Sequence, residues 1–371
     1  MFSAIQWPGG LSEQSFLDHY WQKKALLIRQ AFPGFTTPVS PDELAGLALE
    51  PDTTPRLILK SGSGNYVLEH GPFEASRFAS LNDNNWSLLV TDVEKHVPEL
   101  IRYIDPFRFL PHWRIDDLMI SYAPNGASVG AHVDQYDVFL LQASGERQWM
   151  IDTSDNPNVK LQTESELKLL ANFNANETHT LEPGDMLYLP PGVPHHGVAV
   201  SENCTTWSLG FRTPSDAEML MSFAEAIAAN HAKSQYKDPA LSIANPGEID
   251  ATAIEQFAAR WRELSTLSQA QLSHLTGTLL TTSPGVDDRG YYDLADSPSG
   301  QWQKLPFCRA AYIDNGADVT LFADSVSYEH CSKTFAQTFC TDNILDYNTV
   351  SAGDQPLFEQ LLSAGVLMPV E

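Results

Sequence analysis

His132 and Asp134 stand two residues apart in an apolar, strand-like stretch, and a second histidine, His195, follows Pro190-Pro191-Gly192-Val193-Pro194. Strand side chains repeat with a period of two, so His132 and Asp134 project from one face. A third ligand from a distant strand would complete two imidazoles and one carboxylate. That set can occupy one face of an octahedral Fe(II) and leave the opposite face open for substrates and oxygen. Three N/O ligands plus water also suit a catalytic zinc, so the triad alone leaves both metals open. In His195-His196 only one side chain can face inward; His195, directly behind Pro194, is assigned as the ligand, with the reverse choice still open.

Arg147 opens the stretch paired with the one that carries His132 and Asp134. Its charge cannot be relieved by deprotonation, so an inward-facing Arg147 requires an anion. The planar guanidinium can hold a carboxylate through two parallel hydrogen bonds. Beside an iron site this points to a dicarboxylate co-substrate that chelates the metal at its other end, and 2-oxoglutarate fits. The competing reading is an exposed Arg147 paired with Glu146 or Asp152.

Elements must bring these residues together. Strands are expected at 56–60, 87–90, 118–122, 131–142, 147–151, 186–189, 196–200 and 205–211, with a tight hairpin at Gly145 and a turn at 182–185. Many short strands at this spacing predict a barrel or jelly roll with the metal in its mouth, preceded by an amphipathic helix over 16–28. Past Thr213 the period becomes helical. Met219, Phe223 and Ile227 mark one stripe, capped at Ser215 or Asp216; Ile254, Phe257 and Trp261 mark another, beyond a Pro- and Gly-containing loop at 236–250. Two such stripes cannot make a core alone and must pack on the barrel, on the C-terminal part or on another subunit; a homodimer is the favoured expectation. Residues after Ser283-Pro284-Gly285 read as a small α+β unit with a hairpin around Asn315-Gly316 and a terminal helix at 357–362.

The formal charge is −25, and from residue 281 onward 13 acidic residues face 4 basic ones, which argues against a nucleic-acid-reading surface and for basic partners. The opening residues carry no charged or apolar leader, no run is long and apolar enough to span a bilayer, and the four cysteines lack CxxC spacing. A soluble cytoplasmic protein without a membrane partner is the expectation.

The motifs Asp116-Asp117-Leu118-Met119-Ile120-Ser121, His132-Val133-Asp134-Gln135-Tyr136-Asp137, Gly145-Glu146-Arg147-Gln148-Trp149 and Leu187 through His195, with Tyr20-Trp21-Gln22-Lys23-Lys24 before them, resemble the JmjC-type 2-oxoglutarate oxygenases. Within that class the chain is similar to the bacterial ribosomal oxygenases, which hydroxylate an arginine of a large-subunit ribosomal protein. The resemblance spans residues 15 to 212; beyond them it is one of layout only. It implies a mainly β fold with α: a double-stranded β-helix of jelly-roll, cupin-like type over 1–212, a helical dimerisation region over 213–280, and a winged-helix-like α+β domain over 281–371. It further implies Fe(II), with 2-oxoglutarate and O2 as co-substrates. His132, Asp134 and His195 would be the ligands, Arg147 and Ser208 would bind co-substrate, and Asp117, Met119 and Tyr136 would hold the target arginine. The sixteenth large-subunit ribosomal protein is the implied substrate. A histidine hydroxylase or lysine demethylase of the same class, or a non-catalytic cupin-like binding protein, are the alternatives.

Overall fold

In a computed structural model the described residues are 4–62, 65–163, 166–231, 233–237, 249–283, 298–305, 308–316 and 318–370. The chain divides into two compact units, Met1–Thr213 and Pro214–Glu371.

The described residues of the first unit build two antiparallel sheets. Their strands in chain order are β1 (Leu26–Ile28), β2 (Thr54–Lys60), β3 (Tyr66–His70), β4 (Trp86–Thr91), β5 (Ile115–Ala123), β6 (His132–Val133), β7 (Asp137–Ser144), β8 (Arg147–Ile151), β9 (Glu177–Leu181), β10 (Met186–Leu189), β11 (Pro194–Ala199) and β12 (Cys204–Phe211). One sheet runs β1-β10-β7-β12-β5-β4-β2-β3, the other β6-β11-β8-β9. Alternation gives each strand an inner and an outer side. Val138, Leu140, Leu187 and Leu189 of the larger sheet pack with Trp149, Ile151 and Leu181 of the smaller, so the sheets close on each other as in a jelly roll. On the outer side, Ile120, Phe139, Leu141, Tyr188, Trp207 and Phe211 bury against Phe16, Phe32, Phe35, Leu44 and Phe107 of the N-terminal helical region. Covered on both faces, β7 is buried from Asp137 through Ala143. Each such side chain contributes about 1.5–3 kcal/mol, which makes this outer layer the main support of the sheet.

Several expectations needed revision. The helix over 16–28 is in fact α1 (Glu13–His19) followed by strand β1. Gln22, at φ 57, donates its backbone N–H to the Tyr188 hydroxyl at 2.8 Å, which pulls the chain out of the helix, and Leu26–Ile28 then pairs with β10. The strand over 131–142 breaks into β6 and β7, because the Asp134 carbonyl accepts from Gly192 N–H at 2.8 Å instead of entering a ladder. Tyr136 therefore does not continue a regular strand face with His132 and Asp134. The strand expected from 196 begins at Pro194 and includes His195. β3 and β9 had no counterpart in the sequence reading; their mixed polar composition (Glu69, His70, Glu177, His179) hides the alternation. The turn at Gly184 (φ +90) stands where turn chemistry placed it, but the bend at Gly145 (φ +60) is not a hairpin. It carries the chain from β7 in the larger sheet to β8 in the smaller, so Arg147 pairs with β11 and β9 and not with the stretch that carries His132 and Asp134.

At the point where β7 resumes, Asp137 is fully buried and accepts hydrogen bonds from Tyr188 Oη at 2.6 Å, Arg114 Nη2 at 3.0 Å and Gln22 Nε2 at 3.1 Å. Four short helices, α2 (Pro41–Leu47), α3 (Ala75–Ala79), α4 (Val93–His96) and α5 (Ile101–Ile104), complete the unit.

In the second unit, helices α6 (Asp216–His231), α7 (Ala251–Leu264) and α8 (Gln269–Leu280) precede β13 (Gln301–Lys304), β14 (Ala310–Asp314), β15 (Val319–Ala323), β16 (Val326–Tyr328), α9 (Lys333–Thr341), β17 (Ile344–Asp346), α10 (Gln355–Ser363) and β18 (Leu367–Pro369). Ser215 caps α6 through a reciprocal pair with Glu218. α8 had escaped the sequence reading. Its Gly277 lies on the Phe322 ring of β15, where a Cβ would come within 2.4 Å of ring carbon, so this helix covers the β14-β15-β16 sheet. The hairpin around Asn315-Gly316 and the terminal helix are present as expected. Most of the 236–250 loop and the Pro284-Gly285 boundary lie outside the described residues. No described helix is long and apolar enough to cross a membrane.

Asp137→Ala would strand a buried guanidinium and a tyrosine hydroxyl. The expected loss is about 3–5 kcal/mol, read as a lower urea midpoint followed by tryptophan emission. An unchanged midpoint would show that the network carries no stability.

Candidate metal centre

β6 and β11 are paired with His132 opposite His195, which sets the two imidazoles side by side with ring centroids 4.2 Å apart. Asp134 follows in the break after β6. Its Oδ2 lies 3.5 Å from His195 Nε2 and 4.0 Å from His132 Nε2. Among the described residues these three form the group able to hold an ion, with candidate ligand atoms all within 4.8 Å of one another. Two ligands each about 2.0–2.2 Å from an ion stand up to about 4.4 Å apart, so the 3.5 and 4.0 Å separations from Asp134 suit a shared divalent ion.

The ring orientations support that fit. His132 Nδ1 meets the Gly130 carbonyl at 3.1 Å, and His195 Nδ1 meets the Val193 carbonyl at 2.9 Å. A carbonyl can only accept, so each Nδ1 carries the proton and each Nε2 presents its lone pair to the site. Burial, and then the neighbouring His132, hold His195 down at about 4, which keeps the imidazole neutral and ready to ligate. His196 points the other way along β11. Its Nε2 lies 2.8 Å from Ser128 Oγ, and it takes no part in the cluster.

Arg147, Trp149 and Ile151 pair with Ala199, Gly197 and His195, so all face the interior with His195. Arg147 is 2% exposed, and its Nε and Nη2 are buried without a hydrogen-bond partner. The exposed, salt-bridged reading of Arg147 is thereby excluded. A buried guanidinium left unpaired is costly, and here its Cζ lies over the Trp149 ring, 5.7 Å from the centroid. The indole in turn lies across Gly197, where a Cβ would approach within 2.7 Å. The partners of Arg147 and Ile151, Ala199 and His195, stand four positions apart on β11, about 13 Å of strand. Arg147 and His195 thus face one interior from opposite ends of this stretch, with Trp149 between them. Ser208 is buried on the inner side of β12, opposite Leu140 and Met119.

Asp117, Met119 and Ser121 alternate along one face of β5, and the structure contains a strand there rather than a turn or cap at Asp116-Asp117. Burial first, then the neighbouring Asp116 and Asp92 carboxylates, push Asp117 up to about 7. Glu94, whose Oε2 accepts from Leu118 N–H at 3.0 Å, is pushed to about 8 by its own burial. Gly210 makes the space: a Cβ there would lie 3.1 Å from Asp117 Oδ1 and 3.8 Å from the Tyr136 ring. Tyr136, in the break after β6, is 40% exposed. Arg56 of β2 reaches Met119 Sδ with Nη2 at 3.3 Å. The sequence reading missed Gly197, Gly210 and Arg56. Glycines inside otherwise apolar strand runs were the available signal for the first two.

Comparison with known proteins follows the same lines. Residues 102–219 match a family model described as a JmjC domain. The ribosomal protein uL16 3-hydroxylase of Escherichia coli is 40% identical over 268 residues, covering 70% of this chain and 68% of that protein. A probable ribosomal oxygenase of Haemophilus influenzae is 34% identical over 214 residues, 57% of this chain and 52% of its own. An X-ray structure of E. coli YcfD superposes with a TM-score of 0.84 at 29% identity, covering 99% of this chain and 100% of that one. A second, of YcfD in complex with cobalt and 2-oxoglutarate, gives 0.81 at 29% identity over 98% and 99% of the two chains. The triad, the interior arginine and these likenesses agree, and the chain belongs to the JmjC-class ribosomal oxygenases.

Proposed function

We propose that this protein is an Fe(II)- and 2-oxoglutarate-dependent dioxygenase that hydroxylates a side-chain carbon of an arginine in a ribosomal protein, uL16 being the substrate that its relative's name supplies. The observation that carries this reading is the orphaned guanidinium of Arg147 beside the His132–Asp134–His195 cluster. A zinc hydrolase has no use for an interior dicarboxylate clamp. Bound Fe(II), with 2-oxoglutarate and O2, supplies the oxidation that inserts one oxygen atom into a C–H bond and yields succinate and CO2.

The chain's own residues bind and orient. His132, Asp134 and His195 hold the metal. Arg147 takes the far carboxylate of 2-oxoglutarate, satisfying its own buried donors, and Ser208 assists from β12. Asp117 pairs with the substrate guanidinium, Met119 lines the aliphatic stem and Tyr136 closes over it at the mouth. A carboxylate at this place favours arginine over the neutral side chain of a histidine hydroxylase's target.

The overall charge of −25 suits a basic ribosomal protein partner and repels nucleic acid, and a cytoplasmic location follows from that partner. α6 and α7 bury none of their side chains within the described residues, while Leu220, Met221, Ile254 and Trp261 are 58–68% exposed. An apolar face of this kind supports a homodimer through the 213–280 region, with the 281–371 part as a winged-helix-like appendage.

The decisive experiment incubates the protein with Fe(II), 2-oxoglutarate and ribosomal proteins. One added oxygen on an arginine, with matching succinate, is the expected mass-spectrometric result; neither product would end this reading. His132→Ala should abolish turnover. Arg147→Gln should raise the KM for 2-oxoglutarate roughly 10- to 100-fold, the worth of a lost charged hydrogen bond at about 1.5–3 kcal/mol.

Asp117 must be ionised to receive a guanidinium. Below about 7 it is protonated in the free enzyme, so kcat/KM for the ribosomal substrate should rise about tenfold per pH unit up to that point and then level. Asp117→Asn should give a low, flat profile; retention of the slope would assign it to another group.

Trp261→Asp should convert the dimer to monomer in light scattering. A dimer of undiminished affinity would move the interface elsewhere.

A further inference from the structure

The adjacent histidines of β11 face opposite sides, and only His195 reaches the metal cluster. His196 is nonetheless tied to the other imidazole ligand. Its Nε2 lies 2.8 Å from the hydroxyl of Ser128, a residue that is 4% exposed. The same hydroxyl accepts the Gly130 N–H at 3.0 Å. The Gly130 carbonyl then takes the Nδ1 proton of His132 at 3.1 Å, the contact that turns His132 Nε2 toward the metal.

We propose that His196 is a positioning residue for the ligand His132, acting through the Ser128 hydroxyl and the Gly130 backbone. The proposal rests on the metal-site reading above. The backbone between the two is fixed in a conformation few residues can adopt. Gly130 has φ +90, and a Cβ there would meet Leu169 Cδ2 at 2.9 Å and Tyr66 Cε2 at 3.2 Å. Ser128 bridges Val198 and His132 bridges Leu169, and Leu170 N–H donates to the Ala131 carbonyl at 2.9 Å. Within this frame the Ser128 hydroxyl is the side-chain contact that holds the Gly130 N–H, and His196 fixes the orientation of that hydroxyl. β11 thus serves the metal twice: His195 ligates it directly, and His196 orients the ligand supplied by β6. Sequence adjacency makes this economical, since successive strand residues face opposite sides of the same sheet.

The test uses the full chain, stripped with chelator and titrated with Co(II), read by calorimetry and by the visible ligand-field bands of the ion. Ser128→Ala and His196→Ala should each weaken Co(II) binding about tenfold or more and shift the bands, with the thermal midpoint of the metal-free protein unchanged. The double variant should bind no more weakly than the worse single one, because both act through one carbonyl. His196→Gln, which keeps a donor and an acceptor at the same reach, should recover most of the affinity. Affinities within twofold of the parent, a multiplicative loss in the double variant, or weakening only alongside a lowered thermal midpoint would each overturn the proposal. Failure of the parent to bind Co(II) at all would instead overturn the metal-site reading, and His132→Ala marks that baseline.

Discussion

The buried carboxylate of Asp137 holds the centre of the catalytic unit. It sits where the chain leaves the irregular stretch carrying Asp134 and enters β7, buried as far as Ala143, and it gathers Tyr188, Arg114 and Gln22. Those donors come from β10, from the entry to β5 and from the segment after α1. One charged group therefore ties the N-terminal layer to the sheet and anchors the loop that presents a metal ligand. A buried ion pair adds little net stability relative to an apolar replacement, but it penalises every register that leaves it unpaired. Register matters here, since a slip of one residue would turn His132 away from His195.

Two demands meet in the interior. Hydrophobic closure of the two sheets needs large side chains, as Trp149, Ile151, Leu140 and Leu187 supply. Chemistry needs space and unsatisfied polar groups, which such a core excludes. Glycine reconciles them. Gly197 lets the Trp149 indole lie flat across β11, and Gly210 lets Asp117 and Tyr136 approach β12. The cost of desolvating Arg147 and Asp117 is carried by the surrounding sheet.

Much of the site was legible in the sequence because its information is local. His132-Val133-Asp134 fixes two groups by periodicity, and the Pro190–Pro194 turn announces His195. Arg147 at the head of its strand could be read as interior only through pairing, and its missing partner required coordinates. The strand over 131–142 looked continuous because Gln135 and Tyr136 do not oppose a strand. What ends it is a hydrogen bond from Gly192, fifty-eight residues away from Asp134 in sequence. Likewise α1 stops where Gln22 meets Tyr188, a contact invisible to helical periodicity. α8 went unseen because its buried contact is a glycine against Phe322, not an apolar stripe.

The bond between Gly192 N–H and the Asp134 carbonyl has one more effect. It fastens the turn that delivers His195 to the backbone of Asp134, and with the pairing of His132 to His195 it joins all three residues through the main chain. The spacing of the three groups is thus a property of the fold itself, set by strand pairing and main-chain hydrogen bonds.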